Sequence, residues 1–322
     1  LTGIIPKNLA NARVDQALAK LFPDYSRAKL SQWLKDGHIT INNKILRPKD
    51  KIQGEEYVVI DALLEEESWE AESIPLHIIY EDDALIIINK PTGLVVHPAH
   101  GNFEHTLVNA LLHHCPELTH LPRAGLIHRL DKDTTGLLVI AKTLPTHHAL
   151  VKAMQERKIQ RIYQAIVYVK NSRQPPPLES TIRTEMGRHP HQRLKMAVVS
   201  QGISAVTHTK RLSYHPPFAH LEVALETGRT HQIRVHLAHV NLPIVGDPLY
   251  GLPGPQLARY NTVSPLAAEF LNTFSRQALH AFRLSLHHPI TQEKMTWEAP
   301  LPEDMQTLLA LINPTSNENT HE

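Results

Sequence analysis

Residues 123–143 read RAGLIHRLDKDTTGLLVIAKT, and no other stretch restricts this chain as much. Leu137–Leu138–Val139–Ile140–Ala141 is apolar throughout and reads as a buried strand. The polar residues Thr134–Thr135–Gly136 precede it and read as a turn. In front of that turn stand two acids, Asp131 and Asp133, and two basic residues, His128 and Arg129. A carboxylate at the lip of a rigid strand, in a basic setting, suits a positioned acid or nucleophile beside an anionic ligand.

Several chemistries compete for Asp131. Asp131-x-Asp133-x-Thr135 matches the DxDxT pattern of aspartate-nucleophile phosphatases, but His128 and Arg129 interrupt the all-apolar strand on which that chemistry usually rests. Asp131, Asp133, Thr135 and Gly136 also imitate the start of a calcium-binding EF loop. The bidentate glutamate of such a loop would fall at Lys142, which argues against calcium. A surface turn with solvated charges is the plainer alternative.

The charge is distributed unevenly. The net value of +1 does not announce a nucleic-acid partner. Yet residues 1–60 carry ten Lys and Arg against six Asp and Glu, residues 61–74 carry six acids and no base, and the remainder is mildly basic. This pattern predicts a basic head, an acidic linker over 61–74 and a larger body. The 42% hydrophobic content of the 322 residues supports a globular core. The single cysteine, Cys115, excludes an internal disulfide and fits a reducing compartment. No apolar run approaches ~18 residues, and the start LTGIIPKN lacks the features of a signal peptide, so a cytoplasmic protein with no membrane span is expected.

In the head, Val14, Ala17, Leu18 and Leu21 have helical spacing. A second helix is expected over 26–35 with Ser26 as its N-cap, and Asn42–Asn43 reads as a two-residue hairpin turn. Arg27, Lys29, Lys35 and Lys44 cluster there with Arg47, Lys49 and Lys51. A solvated face would account for such a cluster. The compact helix–helix–hairpin setting favours an RNA-contacting face instead.

The body opens with strand patterns at 76–80 and 84–89, continues with another at 94–97, and has helices at 106–114 and 146–157. Further strands are expected at 162–169, 205–212, 221–225, 279–286 and 294–299. A helical pattern follows Gly228, and a last helix lies near 303–311. Residues 313–322 are polar and read as a disordered tail. Strands and helices do not alternate regularly, so the fold class is α+β, with a mixed sheet more natural than a doubly wound one.

Phosphate and metal signatures are missing. No GxxxxGK[ST] loop occurs, no GxGxxG follows a strand, and no HExxH appears among the 23 histidines, which read as surface or packing residues. Two further segments are rich in functional groups. Gln160–Arg161–Ile162–Tyr163 starts an alternating strand with a tyrosine, and ETGRTHQIR over 226–234 is dense in donors after a strand end.

Together these segments resemble the RluA/RluD family of pseudouridine synthases. The likeness rests on HRLDKDTTG and extends through EDDALIIINKPTGLVVHP, RIYQAIV, GRHPHQRLKMAV, ETGRTHQIRVHLAH, GDPLYG and RQALHAFRL, covering residues 75–300. The head, residues 12–60, resembles the small alpha-L RNA-binding domain. The resemblance implies a largely antiparallel central sheet in a catalytic domain over 75–312 and no cofactor or metal. It implies a large-subunit ribosomal RNA or pre-ribosomal partner, with the helix 69 stem-loop as target, and a monomer is the default. It casts Asp131 as the catalytic aspartate, Arg229 as the arginine paired with it and Tyr163 as the aromatic residue stacking on the target base. Arg129 becomes the residue entering the vacated helix. His128, Thr135 and Gly136 join it in substrate binding.

Overall fold

The computed structural model describes residues 2–22, 25, 27–61, 69–98, 103–170, 174–192, 194–259 and 263–313, without the side chains of residues 28 and 29. The chain forms two units, 1–68 and 69–322. Among the described residues no helix is long and apolar enough to cross a membrane.

The smaller unit contains β1 (Thr2–Ile4), α1 (Val14–Leu21), α2 (Arg27–Lys35), β2 (Ile39–Ile41) and β3 (Tyr57–Ile60). Its three strands are ordered β1-β3-β2. The helical spacing in α1 has the expected result: Val14, Ala17 and Leu18 enter a core with Leu30, Trp33, Leu34 and Ile39. Asn42 and Asn43 both take positive φ, and Ile41 pairs with Lys44 across them, giving the expected tight turn. The proposed cap at Ser26 lies outside the described residues, as does the side chain of Lys29.

The larger unit is built on β4 (Ile78–Glu81), β5 (Leu85–Lys90), α3 (Leu107–His114), β6 (Thr135–Ala141), α4 (Leu144–Gln155) and β7 (Gln160–Tyr168). The chain continues through β8 (Glu179–Arg188), β9 (Met196–Val198), β10 (Ile203–His215), β11 (Phe218–Leu225) and α5 (Gln232–His239). It ends with α6 (Gly254–Leu257), α7 (Pro265–Thr273), β12 (Leu279–His287), β13 (Lys294–Glu298) and α8 (Glu303–Ile312). Ten strands form one sheet in the order β4-β5-β6-β12-β7-β11-β10-β8-β9, with β13 on β12. Only β6 and β12 run parallel among the named pairs; the rest are antiparallel, as expected. The apolar run of β6 is buried along its whole length between β5 and β12.

Several expected boundaries move. Thr135 and Gly136 are not a turn; they are the first residues of β6 and pair with His280 and Ala281. Residues 94–97 make only an isolated bridge, Val95 to Thr106, because the chain turns there to cap α3. The segment expected as linker divides: Glu70 O accepts from Asn109 Nδ2, and Glu72 N donates to Asn109 O, so its end is fastened to α3. Residues 62–68 and the expected tail at 314–322 lie outside the described residues. Strands β8 and β9 and helix α7 had no expectation from sequence.

Candidate active site

Asp131 sits in the loop leading into β6, and that loop is tied down from three directions. The fully buried Lys90, last residue of β5, donates through Nζ to Lys132 O (2.8 Å), Pro91 O (2.7 Å) and Leu94 O (3.0 Å). Arg276 Nη1 donates to Asp133 O at 3.3 Å while its other nitrogens hold Asp304. Gln277 Nε2 donates to Thr134 Oγ1 at 3.0 Å. Burial pushes the Lys90 ammonium down to about 7, opposed by the charges of Asp133 and Asp131. Carbonyl oxygens take all three of its protons when it is charged, so the lysine acts as a fastener.

Gly136 shows why the loop joins the sheet where it does. Its φ is +111°, and a Cβ there would lie 2.3 Å from Ala281 O, so only glycine permits this approach of β6 to β12. Thr135 is buried and its hydroxyl bonds His280 Nδ1 at 2.8 Å. The two residues expected at a substrate therefore serve the sheet.

The arginine that meets Asp131 is Arg234, in the first turn of α5. Its Nη1 donates to Asp131 Oδ2 at 2.9 Å. Its Nε and Nη2 hold Asp247 in a two-pronged pair at 2.7 and 2.8 Å. The Asp247 side chain is fully buried and also accepts from the backbone of Leu249 and Tyr250. Burial works against the charge on Arg234, but the bonds and charge of Asp247, then those of Asp131, raise its pKa overall. The Tyr250 ring lies 5.1 Å from the guanidinium carbon. The guanidinium is thus fixed before any ligand arrives, and it fixes Asp131 in turn.

Arg229, expected as the partner of Asp131, is elsewhere. It is exposed, and its Nε donates to Ser204 O at 3.3 Å. The turn that carries it is locked by Gln232, whose side chain accepts from Thr227 Oγ1 and Arg229 N and donates to Val206 O and Thr207 Oγ1. His231 follows with a left-handed backbone and swings the first turn of α5 towards Asp131. His231 Nε2 stands 3.8 Å from Asp131 Oδ1, and its Nδ1 meets Tyr250 Oη at 2.8 Å. Burial lowers the His231 pKa, and Asp131 opposes that shift.

These groups line one cleft of about 780 Å³. Tyr163 reaches it from β7 and is 4% exposed; its hydroxyl pKa is raised by burial and by Asp131 and lowered by Arg161. His128 and Arg129 line it as well, Arg129 exposed. Burial, reinforced by the charge of Arg161, pushes His128 down to about 3, so its ring is neutral. The cleft therefore combines two held carboxylates, Asp131 and Glu226, with a tyrosine and several cationic donors, which suits a strand with an anionic backbone.

In the smaller unit Lys35 and Lys44 are exposed. Arg27 is engaged: with Arg13 it clasps the buried Asp15, at 2.6 Å for Arg27 Nη2. Burial alone would raise the Asp15 pKa; the two arginines more than offset it and lower it.

A largely antiparallel sheet carrying an aspartate loop against a fixed arginine, in a chain that also holds a separate basic helical unit, points to a protein class. Residues 84–239 match the family model described as RNA pseudouridylate synthase, and residues 12–58 match the S4 domain. The chain belongs to the RNA pseudouridylate synthase family and is an RNA pseudouridine synthase. It is 48% identical to the ribosomal large subunit pseudouridine synthase D of Pseudomonas aeruginosa over 96% of this chain and 94% of that one. It is 45% identical to the protein of that name in Escherichia coli over 100% of this chain and 97% of the relative. The human RNA pseudouridylate synthase domain containing 4 structure superposes with a TM-score of 0.55 at 26% identity, covering 73% of this chain and 92% of that chain.

Proposed function

We propose that this enzyme isomerises uridines of large-subunit ribosomal RNA to pseudouridine, with the helix 69 stem-loop as its target. The near full-length likeness to large-subunit synthases supports the substrate class, and the resemblance of the motif set supports the stem-loop. The observation that carries the catalytic reading is the meeting of Asp131, Arg234 and Tyr163 in one cleft.

In this reaction the bond from ribose C1′ to uracil N1 breaks, the base turns, and C1′ bonds to C5. The proton leaves C5, N1 ends protonated, and the net change is an isomerisation. Asp131 acts on the sugar–base unit, and Arg234 aims it; orientation of one carboxylate at one linkage is where fixed geometry lowers a barrier most. The uridine must leave its stack at a cost of a few kcal/mol. Stacking on Tyr163 returns about 1–3 kcal/mol, and Arg129 fills the space left behind. His128 lines the uridine's pocket. Lys35 and Lys44, with Lys29 and the exposed side of Arg27, serve phosphate contacts in the smaller unit.

The test is Asp131→Asn. We expect a folded protein that retains RNA binding and forms no pseudouridine in a large-subunit stem-loop transcript, read by base-resolved pseudouridine mapping. Ordinary turnover by the purified variant would remove Asp131 from catalysis. Wild-type activity confined to other RNAs would remove the substrate assignment.

A further inference from the structure

Arg161 is a buried cation that the chemistry above does not use. It is 9% exposed, lines the cleft, and stands two residues before Tyr163 on β7, so both side chains leave the same face of the strand. Among the described residues it makes no side-chain hydrogen bond and no ion pair, and its Nε is buried without a partner. Both ring nitrogens of His128, in the same cleft, are buried without partners as well. A buried charge left unpaired is costly, and buried polar groups almost always find partners. Such an arrangement persists where a ligand completes it.

The protein's own carboxylates are unavailable to do so. The acids lining the cleft are Asp131 and Glu226. Arg234 holds the first, and Arg157 and His208 hold the second, each at 2.7 Å. The guanidinium lies against Gly228: a Cβ there would stand 2.8 Å from Arg161 Nη1.

We propose that Arg161, with His128 beside it, binds one backbone phosphate of the RNA strand next to the uridine held at Asp131. The proposal rests on the reading of this cleft as the uridine site. A planar, permanently charged fork with free donors matches phosphate oxygens in number and geometry. A phosphate also supplies the negative charge that the surrounding protein withholds, whereas a base carbonyl would leave the guanidinium's charge unneutralised.

The experiment uses the full chain, wild type and Arg161→Gln, with a large-subunit stem-loop RNA carrying a single neutral methylphosphonate at each linkage in turn. For wild type we expect a roughly 10- to 100-fold loss of affinity at one linkage near the target uridine, the range for one charge-assisted contact. Arg161→Gln should bind unmodified RNA more weakly by a similar factor and show no further loss at that linkage. Its log–log salt slope should be shallower by about 0.7. The free variant should unfold at the same or a higher denaturant concentration, because an unpaired buried charge has been removed. Wild-type sensitivity at every linkage in the variant would overturn the proposal. A variant that unfolds readily yet binds RNA normally would also overturn it, making the arginine structural. These are binding measurements, so a wild type that bound RNA without converting uridine would sink the catalytic reading and leave the linkage result standing.

Discussion

Arg234→Lys separates holding Asp131 from merely being cationic. Arg234 spans two carboxylates, with Nη1 on Asp131 and Nε and Nη2 on Asp247. A lysine has one nitrogen and cannot reproduce the two-pronged hold on Asp247 together with the bond to Asp131. It should stay with Asp247, whose side chain is fully buried while that of Asp131 is 18% exposed. The charge is retained, so the folded state should lose no more than about 1–2 kcal/mol, whereas Arg234→Met would strand Asp247 at about 3–5 kcal/mol. The lost contact to Asp131 is a charge-assisted hydrogen bond of about 1.5–3 kcal/mol. If that bond aims the carboxylate in the transition state, single-turnover conversion at saturating RNA falls roughly 10- to 150-fold. Arg229→Gln is the control. It loses a bond to Ser204 O and a cation at the cleft edge, so it should weaken RNA binding and keep the saturating rate within about two-fold. Normal turnover by Arg234→Lys, with a collapse of the saturating rate in Arg229→Gln, would refute the assignment of Arg234 as the aiming residue.

Two stability measurements test the frame around the site. Gly136→Ala must adopt a disfavoured backbone and force its Cβ against Ala281 O, so chemical denaturation should show a loss of about 1–3 kcal/mol from strain and a similar amount from overpacking; an unchanged midpoint would mean that β6 and β12 do not depend on this approach. His236 is fully buried between Thr184 and Thr207, and burial pushes it down to about 4. Its folded pKa lies below the unfolded value of about 6.5, so its contribution is complete above pH 6.5 and is lost as pH falls towards 4, by up to about 1.4 kcal/mol per pH unit. His236→Gln should show a shallower loss of unfolding free energy than wild type between pH 6.5 and 4, and parallel curves would contradict the buried neutral histidine.

The fold was largely legible because its strongest signals are local. The apolar run Leu137–Ala141 becomes the fully buried β6, and the helical spacing from Val14 to Leu21 becomes α1. Asn42–Asn43 becomes the tight turn because asparagine tolerates positive φ. What escaped was set by tertiary pairing. Strand β8, ESTIRTEMGR, is mostly exposed and charged, and the long partner β10 holds it in place. Thr135 and Gly136 look like turn residues in isolation, yet a parallel neighbour from a distant part of the chain makes them strand.

The active site illustrates the same division at the scale of single residues. Asp131 stands out in the sequence because its loop chemistry lies beside a strand signal, and the structure places it in the cleft. Its partner could not be chosen from residue types: Arg229 and Arg234 occur in one donor-rich run. Their difference arises from two features that run does not display. Gln232 spends its whole amide on locking the turn, which leaves Arg229 directed at a backbone carbonyl. Asp247, in the separate GDPLYG segment, is buried and has no other charged partner among the described residues, and it therefore demands the arginine that helix α5 brings to it. In the sequence Asp247 is a single acid within GDPLYG, and an acid in search of a cation was the signal available to find Arg234. The carboxylate to which we assign the chemistry is held by an arginine whose own position is decided by a second, fully buried carboxylate.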